Sequence, residues 1–323
     1  MPIATSRPPK PDSDGSADPK GAPADGRPNV GFLGLGIMGT AMSRNLLGAG
    51  FEVSGFDPSD AASKRLEESG GRSCASAAEV ALDADVIITS LPSARALNEA
   101  AEAIAGAARR GRKGLVVVET STLDIDDKIA ARDALEAVGV VLLDCPLSGT
   151  GAQAMTKDLS VYSSGPEQTV QRLQPVFDGF SKANYYLGAF GNGMRMKLMA
   201  NLLVAIHNVS TAEVLLFGKR MGIAPELAVK VLSDGAGGSR MFQVRGPVMA
   251  SRTWDEATMK VGVWQKDMKL IHDALAATHT PAPLFAATEP IYNAAIAAGH
   301  ADHDTAAVFD VLARMCDSVT TSS

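Results

Sequence analysis

Cysteine is scarce in this chain of 323 residues: Cys74, Cys145 and Cys316 are odd in number and far apart. They signal neither a disulfide framework nor a zinc site, and a reducing cytoplasm is the expected setting. A surplus of positive charge is lacking too. Thirty Lys and Arg face 36 Asp and Glu, a net charge of −6 with no basic block. Phosphate backbones find nothing to grip, so nucleic acid is not an expected partner. No apolar run reaches the about 18–20 residues of a membrane span, and the first residues lack the apolar core of a secretion signal, so a membrane is not expected either. Repeats at solenoid periods are missing. What is present is 46% apolar and 20% charged residues, the composition of an ordinary globular protein. The length favours two domains, because single cores stop growing near about 250–300 residues.

Residues 1–28 hold seven of the 17 prolines and, after Met1 and Ile3, no large apolar side chain. Such a segment cannot bury enough surface to offset its ordering entropy, and a disordered extension is expected. Its four Asp argue against a mitochondrial presequence. From Val30 the pattern changes. Short apolar runs at 30–33, 52–56, 86–89, 115–119 and 140–143 read as buried strands, and segments of helical period lie between them at 37–49, 58–69, 94–108 and 124–138. That alternation predicts an α/β fold with a doubly wound parallel sheet of the Rossmann type. Residues 159–163 add a strand and 167–177 a helix. Beyond about Gly191 the strands vanish. Residues 194–221 form a periodic run that would be about 42 Å long as one helix. Further helices are expected at 225–233, 261–278, 284–298 and 304–317, with Pro281 and Pro283 breaking the pattern.

The first strand runs straight into Gly34-Leu35-Gly36-Ile37-Met38-Gly39, and a helix follows. In a dinucleotide fingerprint the first glycine makes the tight turn and the second lets the pyrophosphate approach the backbone. The third allows close helix–strand packing, with the phosphates at the helix N-terminus. Asp57 ends the second strand 18 residues after Gly39, where an acid binds ribose hydroxyls. A carboxylate there repels a 2′-phosphate, and Lys64 and Arg65 lie a turn or more along the next helix, so NAD is expected over NADP. The organisation is then an extension at 1–28, an NAD-binding Rossmann domain at 29–190, and an all-α substrate and oligomerisation domain at 191–323 entered through a long helix.

Lys197 and Asn201 are four residues apart on that helix and share a face. A lysine there can give a proton to a carbonyl oxygen as hydride reaches the carbon, or as a neutral amine take the hydroxyl proton in reverse. The second role needs a pKa below the usual value of about 10.4, which desolvation supplies. Ser148, Gly149 and Thr150 follow a strand on a turn exposing hydroxyls and N–H groups, a receptor for a carboxylate. Ser121 lies just past the C-terminal end of another strand, where α/β sheets bind ligands. Apolar residues all round the long helix (Leu198, Leu202, Leu203, Ile206, Val209, Val214, Leu215, Leu216) demand more partners than one small domain provides, which predicts a homo-oligomer. His207, His272, His279, His300 and His303 show no metal-ligand spacing, and no metal is expected.

In four ordered blocks the chain resembles the β-hydroxyacid dehydrogenase family, which includes 3-hydroxyisobutyrate, tartronate-semialdehyde and L-threonate enzymes. The blocks are Gly34 to Gly39 with Met42, Asn45 and Leu46; Asp144-Cys145-Pro146-Leu147-Ser148-Gly149-Thr150; Gly191-Asn192-Gly193-Met194-Arg195-Met196-Lys197 with Asn201; and Lys266-Asp267. The resemblance implies hydride transfer between NAD and a small hydroxy acid, with Lys197 and Asn201 catalytic. It implies cofactor contacts from Leu91, Pro92, Thr122 and Lys266 beside the fingerprint. Substrate contacts would come from Ser121, Ser148, Gly149, Thr150 and Asp267, in a homodimer or homotetramer. Two departures stand out: Thr150 stands where the family usually carries a second glycine, and the stretch 154–159 lacks the glycine the family usually carries near Lys157. Residues 235–242 resemble the threonate-type members more than the hydroxyisobutyrate enzymes. An imine reductase-like enzyme and a non-catalytic NAD-binding module share the architecture, but both typically lose the lysine found here at position 197.

Overall fold

The computed structural model describes residues 26–317; nearly all of the extension expected at 1–28, and residues 318–323, lie outside the described residues. Eleven elements alternate first: β1 (Val30–Leu33), α1 (Ile37–Gly48), β2 (Val53–Phe56), α2 (Asp60–Glu68), β3 (Arg72–Ser73), α3 (Ala77–Asp83), β4 (Val86–Thr89), α4 (Ala94–Arg109), β5 (Val116–Glu119), α5 (Ile125–Glu136) and β6 (Val141–Asp144). The strands pair in parallel in the order β3-β2-β1-β4-β5-β6. Strand order reverses between β1 and β4, so the ligand crevice of such a sheet opens beyond their C-terminal ends. Successive residues point to opposite faces. Phe32, Ile88 and Val118 therefore enter one core with Met42 and Leu46 of α1, while Leu33, Ile87 and Val117 enter another with Ile104 and Leu135. Burial on both faces is why these strands read as unbroken apolar runs.

A small second sheet follows: β7 (Leu147–Ser148), α6 (Gly151–Met155), β8 (Ser160–Ser163), α7 (Glu167–Arg172), α8 (Gln174–Phe180) and β9 (Ala183–Tyr186). Strand β8 lies between β7, antiparallel to it, and β9, parallel to it. The helix expected over 167–177 is two helices. Pro175, which has no N–H to donate, occupies the first turn of α8, where none is required.

The rest is helical: α9 (Asn192–Arg220), α10 (Pro225–Ser233), α11 (Arg240–Ser251), α12 (Val261–Ala277), α13 (Pro283–Ala297) and α14 (Val308–Asp317), with a short 3-10 turn at Thr305–Ala307. Each of α10 to α14 packs against α9. Val209, Ala212 and Leu215 of α9 meet Phe242, Trp264, Phe285 and Phe309 in one core. By length and composition alone the 29-residue α9 could cross a membrane, but here it is the rod on which five helices pack. Polar residues interrupt its apolar runs: Asn201, Asn208 and Thr211 are spaced along it and buried. Asn208 is paired inside, donating to the Tyr292 hydroxyl at 3.0 Å and to the Thr305 carbonyl at 2.9 Å. Helix α11 was not anticipated because Pro247 lies inside it and glycines precede it. Ser239 caps its start by accepting the Phe242 N–H.

Candidate functional site

The glycine fingerprint joins β1 to α1. Gly34 has φ +92°, and a Cβ there would lie 2.2 Å from the Ser90 carbonyl oxygen; one on Gly39 would lie 2.0 Å from that of Gly34. Both glycines are required by the fold itself. A Cβ on Gly36 would meet no protein atom within 4 Å, so what it makes room for lies outside the chain. Helix α1 starts there with no side-chain cap and no acid in its first turn, leaving its N–H donors and positive end free for an anion. Leu35 and Met38 contribute side chains to the core rather than to the crevice, whereas Ile37 is exposed. Asp57 faces this loop from the end of β2: its two oxygens accept the Leu35 N–H at 2.7 Å and the Ser59 N–H at 2.8 Å. Together these fit a dinucleotide. Gly36→Ala is expected to leave the melting temperature within about 1 °C, its Cβ clashing with nothing, while weakening cofactor binding at least about tenfold; a cofactor titration followed by fluorescence checks both halves against Gly39→Ala, which unfolds earlier.

Acids end both β5 and β6, and Glu119 and Asp144 are register partners. Both are fully buried and both meet the fully buried Lys128, at 2.6 and 2.8 Å. The two carboxylates hold the Lys128 ammonium above its ordinary pKa against the cost of burial. Glu119 accepts the Ser121 N–H at 3.0 Å, and the Ser121 hydroxyl accepts the Leu91 N–H at 2.7 Å, keeping its own proton to donate. Leu91 also lies against Gly34, while Pro92 is exposed before the α4 cap Ser93.

Helix α9 begins on this base. Gly191, at φ +91°, turns the chain into it, and the Gly193 and Met194 N–H groups donate to the Ser164 hydroxyl at 3.0 Å and to Asp144 Oδ2 at 2.8 Å. One turn on, Lys197 is half-buried, and its ammonium has no hydrogen bond or ion pair among the described residues. Desolvation lowers its pKa; nearby Lys266 reinforces this and Asp267 opposes it. Asn201 does not fix the lysine directly: its amide donates to Asp267 Oδ2 at 3.0 Å, and Asp267 Oδ1 pairs with Lys266 at 3.0 Å. Lys266 also donates to the Thr122 carbonyl, crossing from α12 to the loop after β5. The structure therefore brings Lys197, Asn201, Lys266, Asp267 and Thr122 together beside Ser121.

Ser148, Gly149 and Thr150 run from β7 into α6. The Thr150 hydroxyl caps α6: it accepts the Gln153 N–H, and Gln153 Oε1 accepts the Thr150 N–H at 3.0 Å. The Ser148 hydroxyl has no partner among the described residues. The α6 start adjoins the cofactor loop, since a Cβ on Gly151 would lie 2.5 Å from Ile37. Gln153 also donates to Asp158 at 2.8 Å, and Asp158 pairs with Lys182 and, at 3.1 Å across to the helical region, with Arg240. Hydrogen bonds from Lys182 and Gln153 lower the Asp158 pKa to about 2. A depressed carboxylate pKa contributes stability that is present above its unfolded value and lost as pH falls through the folded one. Between about pH 4 and pH 2 this contact is therefore expected to fail, and Asp158→Asn should flatten that part of a plot of melting temperature against pH.

Sequence reasoning missed Glu119, Lys128, Asp144, Asp158 and Arg240 as groups of the site. The one signal in the sequence was that two apolar strands, Val-Val-Val-Glu and Val-Leu-Leu-Asp, each end on a carboxylate. Three of the five histidines pair elsewhere: His272 with Glu289, and His300 with His303 and Asp310. No group of three potential metal ligands occurs among the described residues.

Two family models cover nearly all of this region. The NAD-binding domain of 6-phosphogluconate dehydrogenase matches residues 29–191, and the NAD-binding domain of NADP-dependent 3-hydroxyisobutyrate dehydrogenase matches 191–312. L-threonate dehydrogenase of Cupriavidus necator is 30% identical over 284 residues, which are 88% of this chain and 95% of that one. The solved 3-hydroxyisobutyrate dehydrogenase of Mycobacterium tuberculosis with L-serine superimposes at a TM-score of 0.79 with 30% identity, covering 88% of this chain and 99% of that one. An imine reductase from a Pseudomonas species, at a TM-score of 0.56 and 19% identity over 88% of this chain and 99% of that one, shares the fold alone.

Proposed function

The chain belongs to the β-hydroxyacid dehydrogenase family, NAD(P)-dependent oxidoreductases acting on CH–OH groups, and we propose how its own residues divide that work. A small hydroxy acid binds between residues 148–150 and the start of α9, its carboxylate received by the Ser148 hydroxyl, by backbone N–H groups of Ser148 and Gly149, and by Ser121, while the Thr150 N–H is held by Gln153. When bound, the nicotinamide group exchanges hydride with the carbon that bears oxygen. Lys197 Nζ takes the hydroxyl proton in oxidation and returns it in reduction. The observation that carries this is the Lys197 amine itself: desolvated, unpaired, and next to the Asn201–Asp267–Lys266 chain. Asn201 acts through Asp267, which lies close enough to Lys197 to oppose its deprotonation.

Residues 29–190 then form the cofactor domain and 191–323 the substrate and oligomerisation domain. NAD is favoured over NADP because the Asp57 carboxylate, held beside the glycine loop by two backbone N–H groups, would repel a 2′-phosphate. Neither Lys64 nor Arg65 pairs with it among the described residues. Thr150 narrows the carboxylate end of the substrate site and adds a methyl group there. With the threonate-like segment 235–242 this favours a polyhydroxylated acid. A second copy of the chain covers the exposed Met199, Leu203 and Phe217 of α9, giving a homodimer or homotetramer; sedimentation showing a stable active monomer removes this part. The three free thiols fit a cytoplasmic setting.

The decisive experiment follows NADH formation with 3-hydroxyisobutyrate, glycerate, threonate and 3-hydroxypropionate, each repeated with NADP. Turnover of at least one acid, faster with NAD, is expected. Cofactor binding without turnover of any acid marks a non-catalytic module, and reduction of a cyclic imine in their place marks an imine reductase.

A further inference from the structure

Three charged side chains sit at zero exposure under the crevice: Lys128 between Glu119 and Asp144. A buried ion group is a poor device for stability, because apolar residues of the same volume usually serve as well or better. This one carries two carboxylates for one ammonium, an uneven balance that packing does not call for. What distinguishes it is where its other oxygens go. Glu119 Oε1 accepts the Ser121 N–H, and Ser121 in turn receives the Leu91 N–H from the end of β4. Asp144 Oδ2 accepts the Met194 N–H at 2.8 Å and the Ser164 hydroxyl at 3.2 Å, and Ser164 receives the Gly193 N–H. Met194 is three residues before Lys197 on the same helix.

We propose that Lys128 is a positioning residue of the reaction centre: by clamping Glu119 to Asp144 it fixes the spacing between Ser121 on the sheet and the first turn of α9, and through that turn the place of the Lys197 amine. Lys128 and its two acids are fully buried, so their action runs through the groups they hold. They set the alignment of two groups that do, and misalignment of about 1 Å at a reacting centre costs on the order of a hundredfold in rate. The rigidity comes from the charges. A neutral hydrogen bond at the same place would be weaker and would hold the α9 start less firmly.

The inference rests on the assignment of Lys197 as the proton-transfer group, and the test separates the two. In the full chain, Asp144→Asn leaves the Lys128–Glu119 ion pair but turns one of the two Asp144 oxygens, which accept separately from Lys128 and from the Met194 N–H, into an amide NH2 that accepts neither. It is expected to fold, shown by circular dichroism, and to bind cofactor within about twofold of wild type. Its kcat should fall at least about tenfold, and the midpoint of the pH profile of kcat should move, because the amine no longer keeps its distance from Asp267 and Lys266. Lys128→Met should show the same pattern more strongly; if it fails to fold, Asp144→Asn alone decides. A melting temperature that falls while kcat and the pH midpoint stay at wild-type values, in the folded Asp144→Asn protein, overturns the proposal. If Lys197→Ala keeps wild-type turnover, the assignment of Lys197 fails and the positioning role with it; if Lys197→Ala is inactive and Asp144→Asn is unaffected, only the positioning role fails.

Discussion

Lys197→Ala is expected to lower kcat by about a thousandfold, inside the 10²–10⁴ range for loss of a positioned proton-transfer group, while cofactor still binds at the glycine loop. Steady-state turnover and a fluorescence titration of cofactor measure the two effects separately. The amine is half-buried and makes no hydrogen bond among the described residues, so truncation leaves no buried partner stranded and stability should hold. Lys197→Arg should be no rescue in the oxidative direction, because a guanidinium does not give up its proton in the working range. The direction of pH dependence follows from the lowered pKa of Lys197. Oxidation needs the neutral amine, so its rate rises as pH climbs through that pKa. Reduction needs the ammonium, so its rate falls over the same interval. Opposite slopes with a common midpoint in wild type, and neither in the alanine variant, are the signature to look for.

Gly193→Ala is the second large effect, and it acts through the backbone. A Cβ at this position would stand 2.3 Å from the Tyr162 carbonyl oxygen, 2.7 Å from that of Asp144 and 2.9 Å from the Pro146 ring. Two of the three obstacles are main chain in or beside the sheets, so the helix start must give way. Overpacking of this kind costs about 1–3 kcal/mol, which for a chain of this size lowers the melting temperature by several degrees. Displacing the start also breaks the Ser164 and Asp144 contacts one turn before Lys197, so activity should fall at least about a hundredfold in whatever remains folded. Gly48→Ala is the matched control. Its Cβ would meet nothing within 4 Å at the end of α1, and both readouts should stay at wild type.

What could be read from the amino-acid order was what lies close along the chain. The fingerprint, its flanking strand and helix, and Asp57 sit within 30 residues of one another, and their spacing carries their geometry. Lys197 and Asn201 are legible for the same reason, being one turn apart on a helix long enough to be unmistakable. The contacts that assemble the site span far greater separations: Asp144 with Met194, Asp158 with Arg240, Thr122 with Lys266. Nothing local in the sequence pairs them. Glu119 and Asp144 each close a run of three apolar residues, and Lys128 follows the acids of its helix's first turn, so no local pattern marks the three as one buried group. Asn201, expected to work beside the lysine, is tied instead to Asp267, a pairing 66 residues apart. Burial of charge is a property of the assembled fold, and no window of neighbouring residues contains it.

Helix α9 also sets the order in which the protein can be completed. It leaves the ribosome ahead of every helix that covers it, and each of α10 to α14 leans on it. Until α14 is made, the side of α9 that will meet Val308 and Phe309 stands bare, on a segment rich in apolar residues. A chain cut short before α14 would thus release not a weaker enzyme but a sticky intermediate, one that chaperones must shield or proteases clear.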